Sequence, residues 1–173
     1  MDSANDIALY MLLRVRGRIR ISPFSREINR IDLQHLVYLT DWKHCLLFGE
    51  TATGEDWEQK SVDGFDIAGS GRELDERFKA DPRFRRKSYF KSLLVSYRPS
   101  PRGILFGRRV HLSPGTRRAA DHVLKTVSEL RDGEFTRLVL DTYPFRRSAL
   151  SGTFDMAKLA DEYTHRGLHI GMG

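Results

Sequence analysis

Apolar positions recur at helical spacing along most of the chain. After Ser3, a side chain able to cap a helix, Ile7, Met11 and Val15 fall at i, i+4 and i+8 with Ala8 and Leu12 beside them. This predicts a first helix to about Arg16, with Gly17 as its stop. In the following RVRGRIRIS, Arg14, Arg16, Arg18 and Arg20 are set against Val15, Ile19 and Ile21, a pattern open to a short strand or to a fraying helix end. Ser22 before Pro23 is a helix-start signal leading into residues 33–49, LQHLVYLTDWKHCLLFG. On a wheel of about 100° per residue, Leu33, Leu36, Val37, Thr40, His44, Leu47 and Phe48 share one face. Tyr38, Leu39, Trp42, Cys45 and Leu46 occupy the other, and only Gln34, Asp41 and Lys43 interrupt the girdle. A helix apolar nearly all round is a central helix covered on several sides.

The pattern then breaks into turns, TATGED before Trp57 and DGFDIAGSG before a short amphipathic helix at 72–80 with Leu74 and Phe78 inward. Asp81-Pro82 ends that helix. The runs YFKSLLVSY and ILFGRRVHL, joined by RPSPRG, read as an antiparallel hairpin with strands at 88–97 and 104–112. Ser113-Pro114 starts a helix to about Leu130 with Ala119, Val123, Leu124 and Val127 inward. A shorter helix at 134–142 is stopped by Tyr143-Pro144, and a last one at 154–164 carries Met156, Leu159, Ala160 and Tyr163 at helical spacing. The expected fold is α+β, mainly α: a helical domain around a buried central helix with one small antiparallel β-hairpin. Its expected extent is 1–164, followed by a flexible tail, 165–173.

Composition agrees with that outline, since 173 residues with 40% hydrophobic content suffice for one domain with a sizeable core. The start, MDSAND, is acidic where a signal peptide wants positive charge, and the apolar run IALYMLL is too short to span a bilayer. With Cys45 as the lone cysteine, the expectation is a cytoplasmic protein that makes no membrane contact.

Charge changes the picture more. Eleven basic residues and no Asp or Glu lie between Arg83 and Arg118, leaving 18 bases against 23 acids in the rest of the chain. Nine of those acids fall in residues 50–76, facing only Lys60 and Arg72. So clean a basic segment is either an electrostatic footprint for an acidic protein or nucleic acid, or a solvated face that neutralises the acidic segment within the fold.

Motifs for chemistry are sparse. Asp41, His44 and Cys45 form the best metal-like cluster, but adjacent His44 and Cys45 diverge by about 100° on a helix and cannot share one ion. Cys45 inside an apolar helix is poorly placed as a nucleophile, because burial raises a thiol's pKa. His165 and His169, four apart in the tail, read as solvated, GSGR lacks the strand and lysine of a phosphate loop, and neither G-x-S-x-G nor HExxH occurs. Asp75 and Glu76 read as solvated surface. No catalytic residue, metal or cofactor is expected. An enzyme working through Asp41 and His44 would need both side chains in a solvent-reachable cleft.

The blocks LQHLVYLTDWKHCLLFGE, TATGEDW, FTRLVLDTYP and FDMAKLADEY, taken in that order, resemble the Panacea domain, the family of the SocA-like antitoxins, from about Leu9 to Tyr163. The first block is the most specific. One departure is that SVDGFDI stands where the family usually has a Tyr-Gly-Pro element. The resemblance implies a non-enzymatic, mostly helical protein that neutralises a cognate toxin by direct binding, with Tyr38, Asp41, Trp42 and Trp57 as scaffold positions. For partner contact the expected residues are Arg98, Arg102, Arg108 and Arg109, since Arg is favoured at interfaces and pairs bidentately with carboxylates or phosphates. The neighbouring Tyr89, Phe90 and Tyr97 are more ordinary as core. The alternative is a nucleic-acid-binding regulatory protein that grips phosphates with the basic hairpin.

Overall fold

The computed structural model describes residues 1–15, 27–58, 71–89, 94–107, 110–130, 134–147 and 153–166. RVRGRIRIS after Val15, Ser22-Pro23, SVDGFDI, the glycine-rich start of GSGR, Phe90, Lys91, Arg108, Arg109 and the tail beyond Arg166 lie outside these residues. Within them, eight helices and five short strands form a mainly α, α+β fold.

The first helix, α1 (Ala4–Arg14), starts where Ser3 accepts a hydrogen bond from the Asn5 backbone. Strand β1 (Ile28–Asn29) leads directly into α2 (Arg30–Phe48). Asn29 caps α2 by accepting from the Asp32 amide at 2.7 Å, and Gly49 ends it in the left-handed region at φ 78°, a conformation that favours glycine. The unbroken burial from Leu33 to Trp42 makes α2 the hub, packed against α1 and four later helices. Gln34 and Asp41, which interrupt the apolar wheel, are buried with it, whereas Phe48 emerges at the end.

After β2 (Trp57–Glu58), α3 (Gly71–Ala80) buries Leu74 and Phe78, and Asp81-Pro82 terminates it as its chemistry requires. The hairpin pairs β3 (Phe84–Tyr89) with β4 (Leu94–Pro99), which also takes β1 on its other side in the order β1-β4-β3. This corrects the expected hairpin: its first strand begins four residues earlier, in FRRKSY, and ILFG is no strand at all. Ser100-Pro101 instead starts α4 (Pro101–Gly107), where Ser100 Oγ accepts from the Gly103 amide at 3.0 Å.

The remaining helices are α5 (Pro114–Ser128), α6 (Glu134–Leu140), α7 (Tyr143–Arg147) and α8 (Met156–His165), with β5 (Thr153–Phe154) pairing β2 just before α8. Ala119, Val123 and Val127 face inward from α5. Pro144 does stop α6 from continuing, but it also sits early in α7, where a missing N–H costs nothing. Among the described residues no helix is long and apolar enough to cross a membrane.

Candidate interaction surface

The four expected scaffold residues meet around α2. Asp41, fully buried, accepts from the Thr53 amide at 2.9 Å, from the Thr53 hydroxyl, and from Trp57 Nε1 at 2.8 Å. It thereby ties the turn after α2 back onto the helix. Tyr38 packs edge-on against Trp57 and Phe145, with ring centroids 5.4 and 5.6 Å away. Its hydroxyl lies 2.7 Å from Thr142 Oγ1, whose own proton goes to the Val139 carbonyl, so Tyr38 is the donor. Trp42 stacks edge-on with Tyr163 of α8 at 5.8 Å. The backbone of Trp57 pairs with Phe154. Segments from the middle and the end of the chain are thus packed into one unit.

That unit is sealed. His44 is also buried and donates from Nδ1 to the Glu50 carbonyl at 2.7 Å, so it and Asp41 are committed to different partners and line no open cleft. Burial, helped by the nearby Asp41, pushes the Cys45 thiol up to about 12, which keeps it protonated and unreactive at neutral pH. Among the described residues, no group of three or more His, Cys, Asp or Glu side chains converges as a metal site requires.

The outward chemistry lies on the sheet. Register places Arg85 opposite Arg98 and Lys87 opposite Ser96, so side-chain alternation puts Arg85, Lys87, Tyr89 and Arg98 on one face. The other face carries Phe84 and Tyr97 into a cluster with Phe78, at centroid distances of 5.3 and 5.8 Å from the Phe78 ring, and the Tyr97 hydroxyl donates to Asp75 at 2.6 Å. Of the three strand aromatics, Tyr97 is core; Tyr89 is half-buried on the basic face and donates to Glu27 at 2.6 Å. Glu27, buried at the edge of the sheet, also lies 3.7 Å from Lys87 and 4.0 Å from Arg98. One carboxylate thus serves two cations, Lys87 and Arg98.

The acidic segment does not cancel that excess through its clearest pairs. Glu55, Asp75 and Glu76 pair with Arg77, Arg30 and Lys79, none of which belongs to the basic run. Arg83 is the run's structural member, clamped between Asp81 at 2.7 Å and Asp6 of α1. Arg117 and Arg118 lie apart, on α5. Arg85 and Arg102 form no ion pair with any described residue, and both are exposed. Of the four expected contact residues, Arg98 and Arg102 are therefore at the surface, on the sheet and on α4; Arg108 and Arg109 lie outside the described residues.

Sequence reasoning missed Arg85 and Lys87 as partners of Arg98, because the hairpin register was read wrongly. It also took Ile104, Leu105 and Phe106 as strand, whereas all three are exposed on α4. The available signal was Ser-Pro followed by glycines four apart, Gly103 and Gly107. Comparison of the chain with known families, curated proteins and solved structures finds no match.

Proposed function

We propose that this protein is a non-enzymatic, antitoxin-like member of the Panacea type that binds a cognate toxin and neutralises it by direct contact. The observation that carries the reading is the outward row of Arg85, Lys87 and Arg98, answered inside the fold by Glu27 alone among the described ion pairs. A cationic face left over after folding attracts an anionic partner and speeds its encounter. Support of a second kind comes from packing: the four blocks that resemble the Panacea pattern touch one another through Tyr38–Thr142, Asp41–Trp57, Trp57–Phe154 and Trp42–Tyr163. Such an antitoxin acts in the cytoplasm, where a single thiol such as Cys45 stays reduced.

The test is co-expression with the product of the adjacent open reading frame. Relief of its toxicity together with a co-purifying complex is the expected result. Neither rescue nor complex would overturn the reading.

The same cation row favours one other function, binding of nucleic acid through phosphates. That reading demands affinity for short DNA or RNA oligonucleotides falling steeply with salt, with a slope set by the number of phosphates neutralised. Anisotropy titration at low salt removes it if no binding is seen.

A further inference from the structure

Helix α4 is built inside out. An amphipathic helix turns its large apolar residues toward the core, yet here Ile104, Leu105 and Phe106 are 44, 65 and 46% exposed while Gly103 and Gly107 are buried. At about 100° per residue, Leu105 lies opposite the Gly103/Gly107 face. The glycines explain the orientation. A Cβ on Gly103 would come within 2.1 Å of the Arg83 carbonyl oxygen, and one on Gly107 within 2.0 Å of Leu13 Cδ1. Their absence lets α4 lie flat on α1 and the start of β3, which leaves its bulky residues nowhere to go but outward. Contiguous apolar residues of this size presented by a short helix form a docking feature rather than scattered surface hydrophobics.

We propose that α4 is the anchor of the interaction: Ile104, Leu105 and Phe106 enter an apolar groove of an acidic protein partner, whose carboxylates meet Arg102 and Arg98 at the rim. This rests on the antitoxin reading above and deepens it by stating the partner's chemistry. Charge selects the occupant. A second copy of this chain would bring its own Arg102 and Arg98 against the same cations, and like charges brought together at an interface oppose association. A polyanion without an apolar surface would leave the ridge in water. An acidic protein with an apolar groove satisfies both the ridge and its rim, the arrangement of apolar centre and polar edge found in protein interfaces.

The test uses the full-length protein and the purified product of the adjacent open reading frame. Leu105→Asp is expected to weaken the complex at least about thirtyfold, as loss of a central anchor does. Its thermal unfolding midpoint should stay unchanged, because Leu105 supports nothing inside. Arg102→Glu should weaken binding less, chiefly by slowing association, with the loss shrinking as salt rises. Lys125→Glu, on α5, should leave affinity as it was. If the parent binds and Leu105→Asp binds equally well, the ridge is overturned while the antitoxin reading stands. If the parent neither binds nor rescues, the reading and the ridge fall together. A dimer in sedimentation that Leu105→Asp splits would make a second copy the occupant, and oligonucleotide binding lost in Leu105→Asp would make it nucleic acid; either result overturns the proposal.

Discussion

Burial pushes the Asp41 carboxyl up from its ordinary 3.8 to about 6, outweighing the hydrogen bonds from Thr53 and Trp57 that favour its charged form. The folded protein therefore holds this proton more tightly than the unfolded chain does. The group's stabilising contribution is full below the unfolded value and is lost as pH rises through the folded one. Relative to Asp41→Asn, the parent should lose on the order of 2–3 kcal/mol of its advantage between pH 4 and pH 7. Urea unfolding of both proteins at a series of pH values measures this, and a difference flat in pH would refute it. Asp32, also raised to about 6 by burial, is present in both proteins and cancels. Asp41 was legible in the sequence as a polar break in an apolar helix. Its partners were not, because Thr53 and Trp57 lie 12 and 16 residues away and only the turn after Gly49 brings them back.

At the scale of elements, the helices with a capping residue and an apolar period fall where the sequence predicts them: α1, α2, α3, α5 and α8 lie within a few residues of expectation. The misread part was 84–107. FRRKSY has almost no apolar alternation, because β3 is an edge strand whose middle residues are exposed on both faces. Ser100-Pro101 carries the same start signal as Ser113-Pro114, yet the flanking prolines and glycine of RPSPRG made it read as a loop. The two glycines of α4 yield a graded prediction. Gly103→Ala pushes a methyl against backbone, which cannot move cheaply, and should destabilise by roughly 1–3 kcal/mol. Gly107→Ala meets only the end of Leu13, a side chain that can turn aside, so the helix-propensity gain of about 1 kcal/mol should bring it near neutral. Equal denaturant midpoints for the two variants would show that α4 is not seated as described.

Across the whole molecule, charge is segregated rather than averaged. The acidic stretch keeps part of its charge in local pairs, and the sheet presents cations outward over Glu27. Partner association should therefore depend on ionic strength. Arg85→Glu with Arg98→Glu is expected to slow association tenfold or more at low salt, on the order seen for electrostatic steering, and to change dissociation little. The difference should fade near 1 M salt, where the Debye length is about 3 Å. Stopped-flow or surface-binding kinetics with the proposed partner, the product of the adjacent open reading frame, measures both rates; an unchanged association rate would mean that these cations do not steer.

The sequence by itself determined the helical class, the central buried helix and the existence of a basic region, since period, caps and net charge are local properties of the chain. Tertiary structure decided what these features face. Asp41, His44 and Cys45, which look like chemistry in one dimension, are buried: Glu50, Thr53 and Trp57 return to hold His44 and Asp41, and Gly115 of α5 lies against the His44 ring. Ile104, Leu105 and Phe106, which look like core, are turned outward because two glycines press the opposite side of α4 onto α1 and Arg83. Burial depends on which segments return to cover a residue, and no local pattern encodes that.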